Sequence, residues 1–270
     1  MMLDENGFIK VPARVDIQPA FRPVVNDAVA MLTGCLGDLI HSIYLYGSVA
    51  RGEAVAGVSD LDICLLLRRK ADFREETELP AMAEAIERQH RVVSKVDFDI
   101  GTLEEALNPA NLYSWGYWLK HHCRCLYGDD ISRRFPLFKP SRAIALAVNG
   151  DFFAVLEGYI ATLNEEKNIR RHQQLRRSAS RKLIRSTNIL RTAEDTDWPE
   201  SLEEHLRRFA TNYPAMADSL RYFYQQNRQP QGDSAQFITN LSHFMMWLNE
   251  RARDIRYNSP PDSLIHSDPQ

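Results

Sequence analysis

The stretch that decides the fold reads Ile43-Tyr44-Leu45-Tyr46-Gly47-Ser48-Val49-Ala50-Arg51-Gly52 and resumes as Ser59-Asp60-Leu61-Asp62-Ile63-Cys64-Leu65-Leu66-Leu67. Ile43 to Tyr46 is a β-prone run that stops at Gly47-Ser48, where small residues lead into a helix. A strand-to-helix turn of this kind presents backbone N–H groups, and glycine lets a phosphate approach them closely. The Ser48 hydroxyl adds a donor, and Arg51, one turn into the helix, reaches the same anion as a charged fork. Leu61 to Leu67 is apolar apart from Asp62, which predicts a central strand buried on both faces. Asp60 and Asp62 stand at i and i+2, so an extended backbone turns both carboxylates to one side. Like charges held side by side repel. A divalent cation removes that cost, and an oxygen-only site completed by phosphate oxygens suits magnesium.

Working outward, apolar residues from Val24 to Ile40 recur at helical spacing, which predicts a helix over 22–41. Asp72 to Arg91 reads as a helix interrupted near Pro80, and Val92 to Ile100 alternates as a third strand. That strand carries Asp97 and Asp99, again at i and i+2, and either completes a set of three carboxylates with Asp60 and Asp62. Two metal ions held by such a set clamp the attacking and leaving oxygens of an in-line phosphoryl displacement. Residues 111–122 read as a helix and Cys123 to Tyr127 as a short edge strand.

Gly-Ser, eleven residues, then Asp-Leu-Asp resembles the signature of the DNA polymerase β-like nucleotidyltransferase superfamily. Gly47 to Gly52 and Ser59 to Ile63 look most like the branch holding the minimal and the aminoglycoside nucleotidyltransferases. The resemblance covers roughly residues 22–130. It implies that Gly47 and Ser48 hold a triphosphate, that Asp60 and Asp62 bind two magnesium ions, and that a third-strand acid binds the catalytic one. Family members often read Val-Asp-Leu at that strand, which favours Asp97 over Asp99. The implied reaction moves a nucleoside monophosphate from a nucleoside triphosphate, by family habit ATP, to a hydroxyl, with release of pyrophosphate. Leu119 to His122 and Leu126 to Asp129 resemble the segment that closes the catalytic domain in antibiotic-modifying members, where the acceptor is a small molecule.

Beyond Arg142 strand signals nearly vanish, and helices are predicted over 142–163, 167–193, 201–209, 214–227 and 234–256. The fold class is therefore α/β: a small mixed-sheet nucleotidyltransferase domain with flanking helices over 1–138, then an all-helical substrate-binding domain over 139–258 and a flexible tail over 259–270. Phe152, Phe153, Leu156 and Tyr159 read as the helical core. Residues 167–191 hold nine basic and no acidic residues, with Arg170, Arg177, Arg181 and Arg185 sharing one helix face. Pairing with acids of other helices accounts for such a face; alternatively Arg181, Lys182 or Arg185 contacts the triphosphate. Tyr113, Trp115, Tyr117 and Trp118 read chiefly as packing, and His121 and His122 as structural.

The 270 residues carry a net charge of −3, which argues against a general nucleic-acid or membrane-surface binder. Four cysteines, including Cys123-Arg124-Cys125, are too few for a disulfide framework and read as buried or semi-buried thiols. No apolar stretch reaches the roughly 20 residues of a bilayer span, and the acidic N-terminus is unlike a signal peptide; a cytoplasmic protein is the expectation. Two further readings compete with a small-molecule acceptor: a protein or RNA acceptor with the same chemistry, and a nucleotide sensor that kept the fold.

Overall fold

In the computed structural model, which describes residues 3–11 and 15–258, the strand leading to Gly47 spans Ile40–Tyr46 (β1) and so starts before the β-prone run. His41 and Ser42 are the reason it looked shorter; both are buried, with His41 Nδ1 3.0 Å from Ser42 Oγ. β1 pairs antiparallel with Leu61–Leu67 (β2) and, on its other side, with Arg124–Gly128 (β4). β2 pairs parallel with Val96–Thr102 (β3), giving the order β3-β2-β1-β4. The interior position of β2 explains why its run is apolar apart from Asp62.

The same unit holds the helices Arg22–Leu36 (α1), Gly47–Ala50 (α2), Phe73–Gln89 (α3), Leu103–Leu107 (α4) and Tyr117–His121 (α5). Val24, Ala28 and Leu32 of α1 and Leu79, Met82 and Ile86 of α3 share a core with Ile43, Leu45, Leu61, Ile63 and Leu65 of the sheet. Each of these side chains larger than alanine contributes roughly 1.5–3 kcal/mol on burial. A slip by one residue would turn the slipped strand's apolar set away from α1 and α3, so the apolar face fixes the register. The alternate positions, Tyr44, Tyr46, Asp62, Cys64, Asp97, Asp99 and Gly101, are thereby committed to the opposite face.

α3 runs through Pro80 without the expected interruption. One hydrogen bond is lost there, a cost of about 3 kcal/mol in a helix interior, but Pro80 is exposed while Leu79 and Met82 beside it are buried. The Asp72 and Glu75 capping box fixes the helix start. β3 begins at Val96 rather than Val92, because residues 90–95 turn. The four cysteines are free thiols; Cys64 and Cys123 are buried, whereas Cys35 is exposed, contrary to the reading of buried or semi-buried thiols.

Asp4–Lys139 form one compact unit and the chain from Pro140 onward forms the other. The second contains Arg142–Asn149 (α6), Phe152–Glu165 (α7), Ile169–Ser186 (α8), Leu202–Asn212 (α9), Ala217–Arg228 (α10) and Ser234–Asn258 (α11), and no strand among its described residues. The proposed tail, 259–270, lies outside the described residues. Phe152 and Leu156 are buried in the helical core with Phe209, Phe223, Phe237 and Phe244, while Phe153 and Tyr159 pack at its margin. The stretch 142–165 is more apolar than the sequence reading allowed: its mean hydropathy reaches 1.4, enough by length and composition to cross a bilayer. It breaks between α6 and α7 at Gly150-Asp151, and Phe152, Leu156 and Leu163 point into the helical core.

His205 of α9 is buried in this unit, and its Nδ1 has no hydrogen-bond partner. Burial, reinforced by the nearby Arg185 charge, pushes its pKa down to about 3. The folded chain therefore refuses a proton that the unfolded chain accepts near pH 6.5. Stability is complete above that pH and falls as the pH drops toward 3. Between pH 7 and pH 5 the loss is about 2 kcal/mol from this group. Urea midpoints at the two pH values should show it, and His205→Leu should remove that part of the difference.

Candidate active site

β1 delivers the chain to Tyr46, and Gly47 then turns it into α2 with φ at +74°. Glycine is required there on two counts. The conformation is one that L side chains rarely adopt, and a Cβ at Gly47 would land on the Asp62 carboxylate. The Gly47-Ser48 turn and the second aspartate of Asp60-Leu61-Asp62 are thus packed directly together.

Asp62 pairs across the sheet with Tyr46 on β1 and with Asp97 on β3. Asp99 lies two residues further along, opposite Cys64. Each neighbouring acid is held by a local donor: Asp60 by the Ser94 hydroxyl, Asp97 by Lys95 Nζ and Asp99 by the Tyr46 hydroxyl. Tyr46 registers all the strand acids at once. Burial pushes its pKa far up, helped by the hydrogen bond to Asp99 and by the charges of Asp99, Asp62 and Asp97.

The register brings Asp62 and Asp97 side by side and keeps Asp99 on the same face. It does not gather the carboxylates into a coordination shell: among the described residues no three of His, Cys, Asp and Glu stand close enough to hold a metal ion. Ser94, Lys95 and Tyr46 each engage one of the acids. The donor chemistry nonetheless fits magnesium. Four aspartates stand against the single ammonium of Lys95, all the donors are oxygens, and none of the four is fully buried.

Arg51 pairs with Glu53 at 2.9 Å instead of facing an anion, and both side chains are about half exposed or more. Arg181 and Lys182 lie on α8 in the helical unit. Lys182 Nζ is 2.6 Å from Asp151 Oδ1, and Arg181 is exposed, as are Arg170, Arg177 and Arg185. The basic stretch is not one uniform surface. Arg176 is buried against Gln226, the Gln231 carbonyl and the Phe237 ring, and Arg191 is buried over Trp198.

The aromatic segment divides in two. Tyr117 is buried, with His121 and Phe138 around it, and His121 is buried between Lys10 and Phe138. Trp118 meets Tyr46 edge-on at 5.0 Å and Trp115 at 5.4 Å, and the Trp115 ring lies against Gly101. These half-buried rings border the acidic face beside Asp99. Sequence reasoning missed Tyr46, Ser94 and Lys95. Tyr46 had a signal, since the last residue before the turn shares its face with the partner of an antiparallel pair; Ser94 had none.

A central β2 bearing Asp62, a glycine turn packed on it and a parallel neighbour bearing Asp97 define the class: residues 34–108 match the nucleotidyltransferase domain family. The matched residues include the Gly47 turn and the aspartates at 60, 62, 97 and 99. Among solved structures, the chain is similar to spectinomycin adenyltransferase AAD(9) from Enterococcus faecialis, determined with ATP and spectinomycin. The likeness has a TM-score of 0.58 at 13% identity and covers 86% of this chain and 98% of that one, a likeness of fold. No curated protein matches the chain in sequence.

Proposed function

We propose that the protein is a magnesium-dependent nucleotidyltransferase that moves the nucleoside monophosphate of ATP to a hydroxyl of a small-molecule acceptor. The observation that carries this reading is the position of Asp62, packed against the Gly47 turn on one side and in register with Asp97 on the other. Gly47 and Ser48 bind the triphosphate through the turn, and the departing pyrophosphate stays against it. Asp60, Asp62 and Asp97 would hold magnesium, which would supply charge neutralisation on the phosphates and a lowered pKa for the acceptor hydroxyl. The acceptor oxygen bonds to the α-phosphorus as the bond to the β-phosphate oxygen breaks. Asp97 takes the third place because it is level with Asp62; Asp99, bound to Tyr46, borders the acceptor side. Arg51 is proposed to turn from Glu53 to the phosphates. A cytoplasmic setting, with ATP and magnesium at hand, belongs to the same reading.

The test is release of pyrophosphate from labelled nucleoside triphosphates with magnesium and a set of hydroxyl acceptors, beginning with spectinomycin. We expect release that depends on both acceptor and magnesium, with ATP preferred. Tight triphosphate binding without release for any acceptor rejects the enzyme in favour of a nucleotide sensor. A nucleotide adduct found only on a co-purifying protein or RNA keeps the chemistry and rejects the small-molecule acceptor.

A further inference from the structure

β3 is an edge strand, bonded to β2 alone. Leu61 N–H donates to the Lys95 carbonyl, so the odd-numbered residues of β3 turn their backbone groups to β2 and the even-numbered ones turn theirs away. At both ends those outward groups are already capped. Val96 N–H donates to Glu87 Oε1 at 2.8 Å, and Thr102 N–H donates to Glu105 Oε2 at 2.8 Å. Between them, the outward backbone of Phe98 and Ile100 has no partner among the described residues. Beside this open length, Leu79, Pro80 and Ala83 of α3 form with Phe98 and Ile100 a groove of about 630 Å3, and Ile100 is 42% exposed.

Bare edges of this kind normally carry some protection against pairing. Here the two caps bracket an opening for one short strand, flanked by apolar side chains. Its rim is acidic: Glu76, Glu84, Glu87 and Glu105 outnumber Lys70 and Lys95, and Lys95 is engaged by Asp97. A second copy of the chain pairing through the same edge would set these glutamates against their own equivalents. A cationic partner meets no such repulsion.

We propose that the outer edge of β3 docks an extended, basic peptide segment of a partner protein, which adds as a fifth strand and places alternate apolar side chains in the groove. Backbone bonds to Phe98 and Ile100 supply affinity, and the glutamate rim selects for lysine or arginine. The surface lies on the α3 side of the sheet, opposite the aspartates, so the proposal stands independently of nucleotidyl transfer.

The probe is a fluorescein-labelled hexapeptide with valine and serine alternating in its four middle positions and lysine at both ends, where it meets Glu87 and Glu105, with a counterpart carrying glutamate at both ends, read by anisotropy on the full chain. We expect the lysine peptide to bind at least about tenfold more tightly than the glutamate one. Ile100→Pro should abolish that binding, because it removes an outward N–H and no bond of the β2–β3 ladder. Ala83→Trp, which fills the groove from α3, should do the same and guards against misfolding of the proline variant; thermal unfolding confirms that each variant is folded. The proposal is overturned by equal binding of the two peptides, by no binding to the unmodified chain, or by binding that survives Ala83→Trp. A dimer that dissociates on Ala83→Trp would overturn it in favour of a second copy.

Discussion

Asp62→Ala is expected to lower nucleotidyl transfer by roughly a thousandfold or more, because a bound metal supplies several kcal/mol of charge stabilisation to phosphoryl transfer and each 1.4 kcal/mol is tenfold in rate. Its effect on stability should have the opposite sign. Asp62 stands between Tyr46 on β1 and Asp97 on β3, on the face that also carries Asp99. Without a cation, removing one of these like charges relieves repulsion, so the melting temperature in EDTA should stay level or rise. Magnesium with ATP should raise the melting temperature of the unmodified chain and leave that of Asp62→Ala unmoved, since only a native state that binds is stabilised by ligand. Asp60→Ala should behave alike, while Asp99→Asn should retain much more activity. Unimpaired transfer in Asp62→Ala rejects the site outright.

Where the sequence was informative, it was so for a physical reason. A charge inside an apolar run has a high cost unless it has a purpose, so Asp62 within Leu61–Leu67 announced both a central strand and a site. The two-residue period put Asp97 and Asp99 on one face of their strand, and the register sets that face level with Asp62. What stayed hidden depends on neighbours remote in sequence. That Ser94, Lys95 and Tyr46 hold Asp60, Asp97 and Asp99 follows from side-chain packing, which no local pattern encodes. His41 and Ser42 concealed the start of β1 because their burial rests on cross-strand partners. Arg176 and Arg191 were hidden in a run of basic residues, since only packing tells a solvated guanidinium from one bedded on Phe237 or Trp198. Pro80 misled because a single lost hydrogen bond is outweighed by the apolar stripe of α3 on the sheet.

Gly47→Ala is the sharper probe of the turn. From sequence, the glycine is needed so that a phosphate can approach the backbone. The structure adds a second need, because the new methyl group would occupy the place of the Asp62 carboxylate. Alanine at φ +74° costs roughly 1–2 kcal/mol by itself, which a chain of this size tolerates. The larger consequence is positional: Asp62 has to swing away, and a displacement of about 1 Å at a reacting site costs on the order of a hundredfold. Activity should therefore fall by a hundredfold or more, about 2.7 kcal/mol of barrier, while urea unfolding shows the smaller conformational cost. Gly128→Ala separates the two effects. That glycine also has a positive φ, at +79°, and a Cβ there would strike the His41 carbonyl, remote from the aspartates. It should match or exceed Gly47→Ala in lost stability, yet the folded fraction should transfer nucleotide at nearly the unmodified rate. If both variants lose activity only in proportion to the unfolded population, the turn at Gly47 is a structural corner and the contact with Asp62 has no part in phosphate chemistry.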